Sequence, residues 1–236
     1  MSLQVFIGFD ERQAVAAHVC AGSVMRRSTK PVSVTMLKLS QLPVKRKGLT
    51  DFTFSRYLVP WLMGYRGTGL FLDADMLVLG DVVELFALSD AECDVQVVKN
   101  ERRFEWPSMM LFQNARCRFL TPEYVDAKDT APHGFEWASK VGSLPSEWNH
   151  CVGYDAPRGK ENPAKLVHYT QGVPCWPETL GCEYTQEWAD ELEAMNTTCT
   201  WGELMGSSVH AMPVLERLER EGKVRLDRSQ MQASAR

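Results

Sequence analysis

What this sequence lacks narrows it before any motif is considered. It has no excess of positive charge: 26 Lys and Arg stand against 30 Asp and Glu, a formal net charge of −4. That balance argues against a protein that holds nucleic acid through phosphate contacts. No apolar run approaches the ~20 residues of a membrane span. Met1 to Asp10 carries neither the basic head nor the apolar stretch of a secretory signal, so a cytoplasmic protein is expected. The seven cysteines, at 20, 93, 117, 151, 175, 182 and 199, contain no C-x-x-C pair. With no even framework, they are expected to be reduced, partly buried thiols. A sequon at Asn196-Thr197-Thr198 is then a chance match. No G-x-G-x-x-G is present, which removes the dinucleotide fingerprint. Internal repeats and low-complexity tracts are absent too.

What is there suits one large α/β domain. At 236 residues, 44% of them hydrophobic and 24% charged, the chain can bury a substantial core. No linker is visible, so 1–236 is expected to be a single domain. Leu3 to Phe9 predicts a first strand, buried at Val5, Phe6 and Ile7, with a turn at Gly8-Phe9-Asp10. Glu11 to Ser28 predicts a helix with Asp10 as N-cap and apolar residues at one-turn steps. Val32 to Leu39 predicts a second strand, and Lys45-Arg46-Lys47 a solvated turn. A helix over Thr53 to Tyr65 is expected, bent at Pro60 or begun near it. Val82 to Leu88 predicts a short helical turn. Asp94 to Val98 and Ser108 to Phe112 predict strands. Thr121-Pro122-Glu123 opens a helix, and another is expected over Phe135 to Val141. Leu144 to Asn149 and Gly172 to Gly181 predict loops, with a short strand at Leu166 to Tyr169 between them. Helices over Thr185 to Met195 and Val214 to Gly222 form a C-terminal extension within 183–236, before a frayed tail at Gln230 to Arg236.

The chain is organised around Gly69 to Asp81. Leu70, Phe71 and Leu72 form an apolar run of the kind found in strands buried on both faces. Asp73-Ala74-Asp75 follows at once, and two carboxylates cannot lie unpaired inside such a sandwich. The strand must therefore end at Asp73, with the acids at its carboxyl edge, where open α/β sheets bind ligands. Two converging carboxylates suit a hard divalent cation, Mg²⁺ or Mn²⁺, and the natural user of that cation is a diphosphate. Asp-x-Asp also arises as a plain turn or cap. Phosphatases of the haloacid dehalogenase type carry it near the domain start, with Thr or Val two residues on. Here Leu77 stands in that place, and no later acidic cluster completes the pattern.

Separated patches share an order. They are Val5 to Asp10, Phe54-Ser55-Arg56-Tyr57, Phe71 to Asp75, Leu144-Pro145 with Trp148-Asn149, and His168-Tyr169-Thr170 with Trp176. Together they resemble glycosyltransferase family 8, the glycogenin and galactosyltransferase type with the GT-A fold, over roughly residues 3–178. The resemblance implies a mostly parallel twisted sheet flanked by helices, a nucleotide-sugar donor (usually a UDP-sugar), Mn²⁺ and transfer with retention. It implies metal ligation by Asp73, Asp75 and His168. Donor contacts would come from Gly8, Phe9, Asp10, Arg12, Arg56, Ala74, Trp148, Asn149 and Gly172. Two departures stand out. The Lys that the family places on the diphosphate is missing from His168 to Trp176, with Lys165 and Arg158 as candidate replacements. The Asp-Gln pair beside the donor sugar is not legible, and His133 to Trp137 occupies its region.

Each residue also has a plainer role: Asp10 as a cap, Arg56 in a salt bridge, Trp148 in the core, His168 as a satisfied strand histidine, Glu136 as a surface acid. An imidazole beside two carboxylates discriminates against Mg²⁺ and favours Mn²⁺. The expected activity is metal-dependent transfer of a sugar to an acceptor that the sequence does not specify. The alternative is a non-catalytic nucleotide-sugar or glycan-binding protein on the same fold.

Overall fold

The structure, a computed structural model, describes residues 2–195, 211–223 and 225. The sequon at 196–198, Cys199 and the 230–236 tail lie outside the described residues. The chain divides into two units, 1–195 and 196–236.

In chain order the strands are β1 (Leu3–Phe9), β2 (Val32–Lys38), β3 (Thr68–Leu72), β4 (Met76–Val78), β5 (Val95–Val98), β6 (Met109–Gln113), β7 (Val141–Leu144), β8 (His150–Cys151) and β9 (Leu166–His168). The helices of the first unit are α1 (Ala14–Arg27), α2 (Phe52–Ser55), α3 (Val59–Leu62), α4 (Val82–Ala87), α5 (Pro122–Asp126) and α6 (Thr185–Met195). A six-stranded sheet runs β2-β1-β3-β6-β5-β7, and a three-stranded sheet runs β4-β9-β8. In the large sheet only β6 opposes its neighbours, so the sheet is mostly parallel. The β9 strand belongs to the small sheet, which corrects the expectation of a single sheet. The cause is local: the chain leaves the large sheet at Asp73 and pairs again at Met76 with β9.

The apolar run predicted for β3 is buried from Gly69 to Leu72. It packs into a core with Val5, Ile7, Val97, Met110 and Phe112. α1 buries Ala16, Ala17, Val19, Cys20 and Val24. Its Ser23 hydroxyl accepts from the Val78 amide at 3.0 Å, fastening α1 to β4. α6 lies against α1, where the buried Glu191 receives Arg26 and Arg27 at 2.9 and 2.6 Å. Breaking that pairing would leave an uncompensated buried charge.

Two helix expectations are corrected. The stretch from Thr53 to Tyr65 is not one helix: α2 passes through a 3-10 turn at Arg56–Leu58 into α3. Pro60 sits at the start of α3, where its missing N–H interrupts the ladder. Phe135 to Val141 is not helical either. Pro132–Gly134 is a 3-10 turn, Phe135 takes a left-handed conformation at φ 60°, and β7 begins at Val141. Phe135 and Trp137 are two residues apart, a spacing that does not share a helix face. Both bury against the core, and Trp137 donates to the Pro132 carbonyl at 2.9 Å. The basic loop at Lys45 to Lys47 is tied down rather than merely solvated. Asp126 accepts from the Lys45 and Arg46 amides, and the Arg46 guanidinium lies 3.9 Å from the Phe54 ring centre.

Of the six described cysteines, none is bonded to another, and four are buried. No helix among the described residues is long and apolar enough to cross a membrane. In the second unit a helix spans Ala211–Arg220.

Candidate metal and donor site

β3 ends at Leu72, and the Asp73 amide donates to the Ser108 carbonyl at 2.9 Å. Ala74 is fully buried, and Asp75 immediately precedes β4. In the antiparallel pairing of β4 with β9, Met76 stands opposite His168, and the Tyr169 amide donates to the Asp75 carbonyl. The register thus brings a residue nearly a hundred positions away to the two acids. Asp73, Asp75 and His168 each offer a ligand atom, all within 4.8 Å of one another. His168 Nε2 lies 3.4 Å from Asp75 Oδ1.

Hydrogen bonding at this cluster is incomplete. Asp73 Oδ1 and Asp75 Oδ1 are buried without a hydrogen-bond partner. Arg56 Nη2 approaches Asp73 Oδ1 to 3.0 Å as an ion pair, but not in hydrogen-bond alignment. Burial pushes the Asp73 carboxyl up to about 7, against the pull of Arg56 and with Asp75 adding to the rise. Burial also raises the nearby Glu105 carboxyl. For His168, burial disfavours the charged ring, but Asp75 outweighs it and the pKa is raised well above the ordinary value. Two orphaned carboxylate oxygens and an imidazole nitrogen fit a divalent cation with mixed oxygen and nitrogen preference.

Arg56 is buried and engaged. It donates to the Pro107 carbonyl at 2.9 Å and to the Phe52 carbonyl at 3.4 Å, besides facing Asp73. Asn149 is buried and donates to Ser108 Oγ at 3.0 Å. Trp148, only 1% exposed, lies in the main core with Lys165 Nζ 5.4 Å from its ring centre. It offers no open face for stacking.

The turn after β1 forms a second part of the same edge. Ile7 pairs with Leu72, so Gly8 and Asp73 lie at the same level of adjacent parallel strands. A Cβ on Gly8 would meet Phe52 Cγ at 2.4 Å, so glycine lets the two segments touch. Asp10 accepts from the Arg12 guanidinium at 2.6 and 3.0 Å, and from the Arg12 and Asp51 amides. Those bonds, led by the Arg12 side chain, hold its carboxyl well below the usual range. Phe9 and Asp51 line a cavity of about 310 Å³, with Glu11, Lys38, Leu39 and Lys45. Arg12 itself is mostly exposed. Gly172, at φ 112°, lines a separate cavity of about 250 Å³ with Tyr169, Gln171 and Thr179, and no triad residue is in that lining.

The two candidate replacements for a diphosphate lysine are committed elsewhere. Lys165 pairs with Glu84 at 2.6 Å, and Arg158 donates to Ser146 Oγ and the Asn162 carbonyl. His150 is buried with Nε2 2.8 Å from Glu183. Glu136 is exposed. Sequence reasoning missed Glu105 and Cys151, which face the other ring nitrogen of His168 at 3.8 and 3.9 Å. Neither belongs to a recognisable motif, so only the fold reveals them.

With this geometry in view, the fold is that of the GT-A glycosyltransferases. Among solved structures, the glycosyltransferase GlyE of Streptococcus pneumoniae matches with TM-score 0.60 and 15% identity, over 94% of this chain and 64% of that one. The galactosyltransferase LgtC, solved with donor and acceptor sugar analogs, matches with TM-score 0.56 and 12% identity, over 85% of this chain and 99% of that one. The bifunctional glycosyltransferase WbbM gives TM-score 0.59 at 15% identity, and the matched part is about half of its length, 51%. No family model matches the sequence. The chain belongs to the family of Protein CDI from Arabidopsis thaliana: the two are 32% identical over 227 residues, 82% of this chain and 87% of that protein.

Proposed function

We propose that the protein is a metal-dependent glycosyltransferase that takes a sugar from a nucleotide donor, a UDP-sugar, and transfers it with retention. The observation that carries this reading is the convergence of Asp73, Asp75 and His168 at the carboxyl edge of β3, with two buried carboxylate oxygens left without a hydrogen-bond partner. Mn²⁺ is the cation that the mixed donor set favours, with Mg²⁺ as the substitute. When bound, the cation supplies positive charge to the diphosphate as the bond to the sugar breaks.

The chain's own groups have separate tasks. Asp73, Asp75 and His168 hold the cation. Arg56 orients Asp73 through their ion pair and is itself fixed by the Pro107 and Phe52 carbonyls. The cavity beside Phe9 and Asp51 receives the nucleoside, with Asp10 fastening its edge. No protein nucleophile is assigned: in a retaining transfer of this kind the departing phosphate oxygen activates the acceptor on the same face.

The engagement of Lys165 and Arg158 elsewhere favours the second reading, a protein that binds nucleotide-sugar without turnover. Incubation with a panel of UDP-sugars, with Mn²⁺ or with EDTA, separates the two by the free UDP released. Metal-dependent release of UDP supports the enzyme. Metal-dependent binding without release supports the second reading.

A further inference from the structure

We propose that Glu105 is a positioning residue for His168: its carboxylate takes the hydrogen bond from Nδ1 and so keeps Nε2 free to ligate the cation. This rests on the reading of Asp73, Asp75 and His168 as a divalent-metal site.

The two ring nitrogens of His168 have different surroundings. Nε2 looks into the cluster, 3.4 Å from Asp75 Oδ1. A ring nitrogen that ligates a cation carries no proton, so the proton of the neutral ring sits on Nδ1. Nδ1 then needs an acceptor, because the ring is only 3% exposed. Among the described residues, two side chains face it. Cys151 Sγ is 3.9 Å away and is directed at the Asn149 carbonyl as well, and sulfur is a weak acceptor. Glu105 Oε2 is 3.8 Å away. An ionised carboxylate is an acceptor only, and a closing movement of roughly 1 Å brings it to hydrogen-bond length.

The segment that carries Glu105 is built to hold it there. It is a 3-10 turn, Arg103–Ser108, between β5 and β6. The Glu105 amide donates to the Arg102 carbonyl, and the Glu105 carbonyl accepts from Ser108 Oγ. Trp106 donates from its ring to the Asn100 carbonyl. The same short segment supplies the Pro107 carbonyl to Arg56 and the Ser108 carbonyl to Asp73. One turn therefore touches Asp73 directly, Asp73 again through Arg56, and His168 through Glu105. A third acid beside two carboxylates raises local repulsion, and burial makes it costlier. Orienting the imidazole gives that acid a use.

The test compares Glu105→Gln with Glu105→Leu. Free Mn²⁺ is followed by electron paramagnetic resonance, and the Nδ1 proton of His168 by NMR in the folded proteins loaded with Zn²⁺, a diamagnetic ion that accepts imidazole and carboxylate ligands. Glu105→Leu should weaken Mn²⁺ by about 10- to 100-fold, the usual cost of losing an outer partner of a metal histidine. Glu105→Gln keeps an acceptor oxygen and should lose less. The Nδ1 proton should be downfield and slow to exchange in wild type and Glu105→Gln, and should lose both properties in Glu105→Leu. An unchanged Nδ1 resonance in Glu105→Leu overturns the proposal. So does an equal loss of Mn²⁺ in the two variants, which would make Glu105 a direct ligand. His168→Ala is measured alongside. If it leaves Mn²⁺ affinity unchanged, the triad assignment fails and this proposal falls with it. If it abolishes binding while Glu105→Leu does not weaken it, only the role of Glu105 fails.

Discussion

Met76 on β4 and His168 on β9 are paired residues of an antiparallel ladder, and that register brings the imidazole to Asp75. A slip of one residue would turn His168 to the opposite face of the small sheet. The site therefore depends on a pairing between two three-residue strands, neither of them in the main sheet.

The first prediction concerns the cation. UDP should bind far more weakly in EDTA than in Mn²⁺, because Lys165 and Arg158, the two candidate replacements for a diphosphate lysine, are engaged elsewhere. Asp75→Asn and His168→Ala should each weaken Mn²⁺ by more than about 100-fold, exceeding the loss of an outer partner. Calorimetric titration with and without metal checks both. Equal UDP affinity in Mn²⁺ and EDTA, in folded protein, would sink the triad assignment.

Arg56 gives a stability prediction. Arg56→Lys retains the charge but not the fork that reaches Asp73 and the Pro107 and Phe52 carbonyls. It should destabilise the fold by about 1–3 kcal/mol, the cost of buried groups left unpaired. Arg56→Met should cost more, about 3–5 kcal/mol, because it strands Asp73. Urea unfolding of the two variants measures the order, and the reverse order would argue that the pair contributes little.

Gly8 is where β1 touches α2. Gly8→Ala puts a methyl group 2.4 Å from Phe52 Cγ and should cost about 1–3 kcal/mol through overpacking. Combining it with Phe52→Leu should recover part of the loss. Additive losses in the double variant would mean that the two residues do not share a contact.

His133 predicts an acid sensitivity. It packs edge-on against Phe54 and Tyr57, and burial, with Arg56 and Arg46 adding to it, lowers its pKa to about 4 from 6.5. The folded protein therefore binds fewer protons than the unfolded chain between those values. Its contribution to stability is complete above pH 6.5 and is lost as the pH falls towards 4. His133→Gln should flatten the fall of the denaturation midpoint over that window. A profile parallel to wild type would assign the acid sensitivity to other groups.

Particular residues show why parts of the fold and site were legible. Leu70 to Leu72 are buried at every position, so an unbroken apolar run marked the strand and the following acids marked its end. Leu3 to Phe9 was bounded by local signals alone, and the observed limits coincide; the helix expected from Thr185 also begins at that residue. Other features depend on distant partners. Phe135 to Val141 was expected as a helix, but Trp137 packs against Tyr57 and Phe112, Phe135 packs against Trp137, and Phe135 turns the chain in a left-handed conformation instead. Trp148 carried two readings, and tertiary packing puts its ring in the core. Glu105 had no motif at all. Its closeness to His168 arises from the β5–β6 connection meeting β9, which no spacing in the chain encodes.

Asp73 is anchored to the six-stranded sheet, whereas Asp75 and His168 border the three-stranded one. A seam between two sheets thus runs through the middle of the candidate metal site. An ion gripped from both sides would rivet that seam. Without it, the small sheet can fray by itself, and the amides of β8 and β9 should exchange with solvent through a low-cost local opening. With it, those amides should exchange no faster than the strands beneath them, and a mechanical coupling between layers would be the direct trace of ion capture.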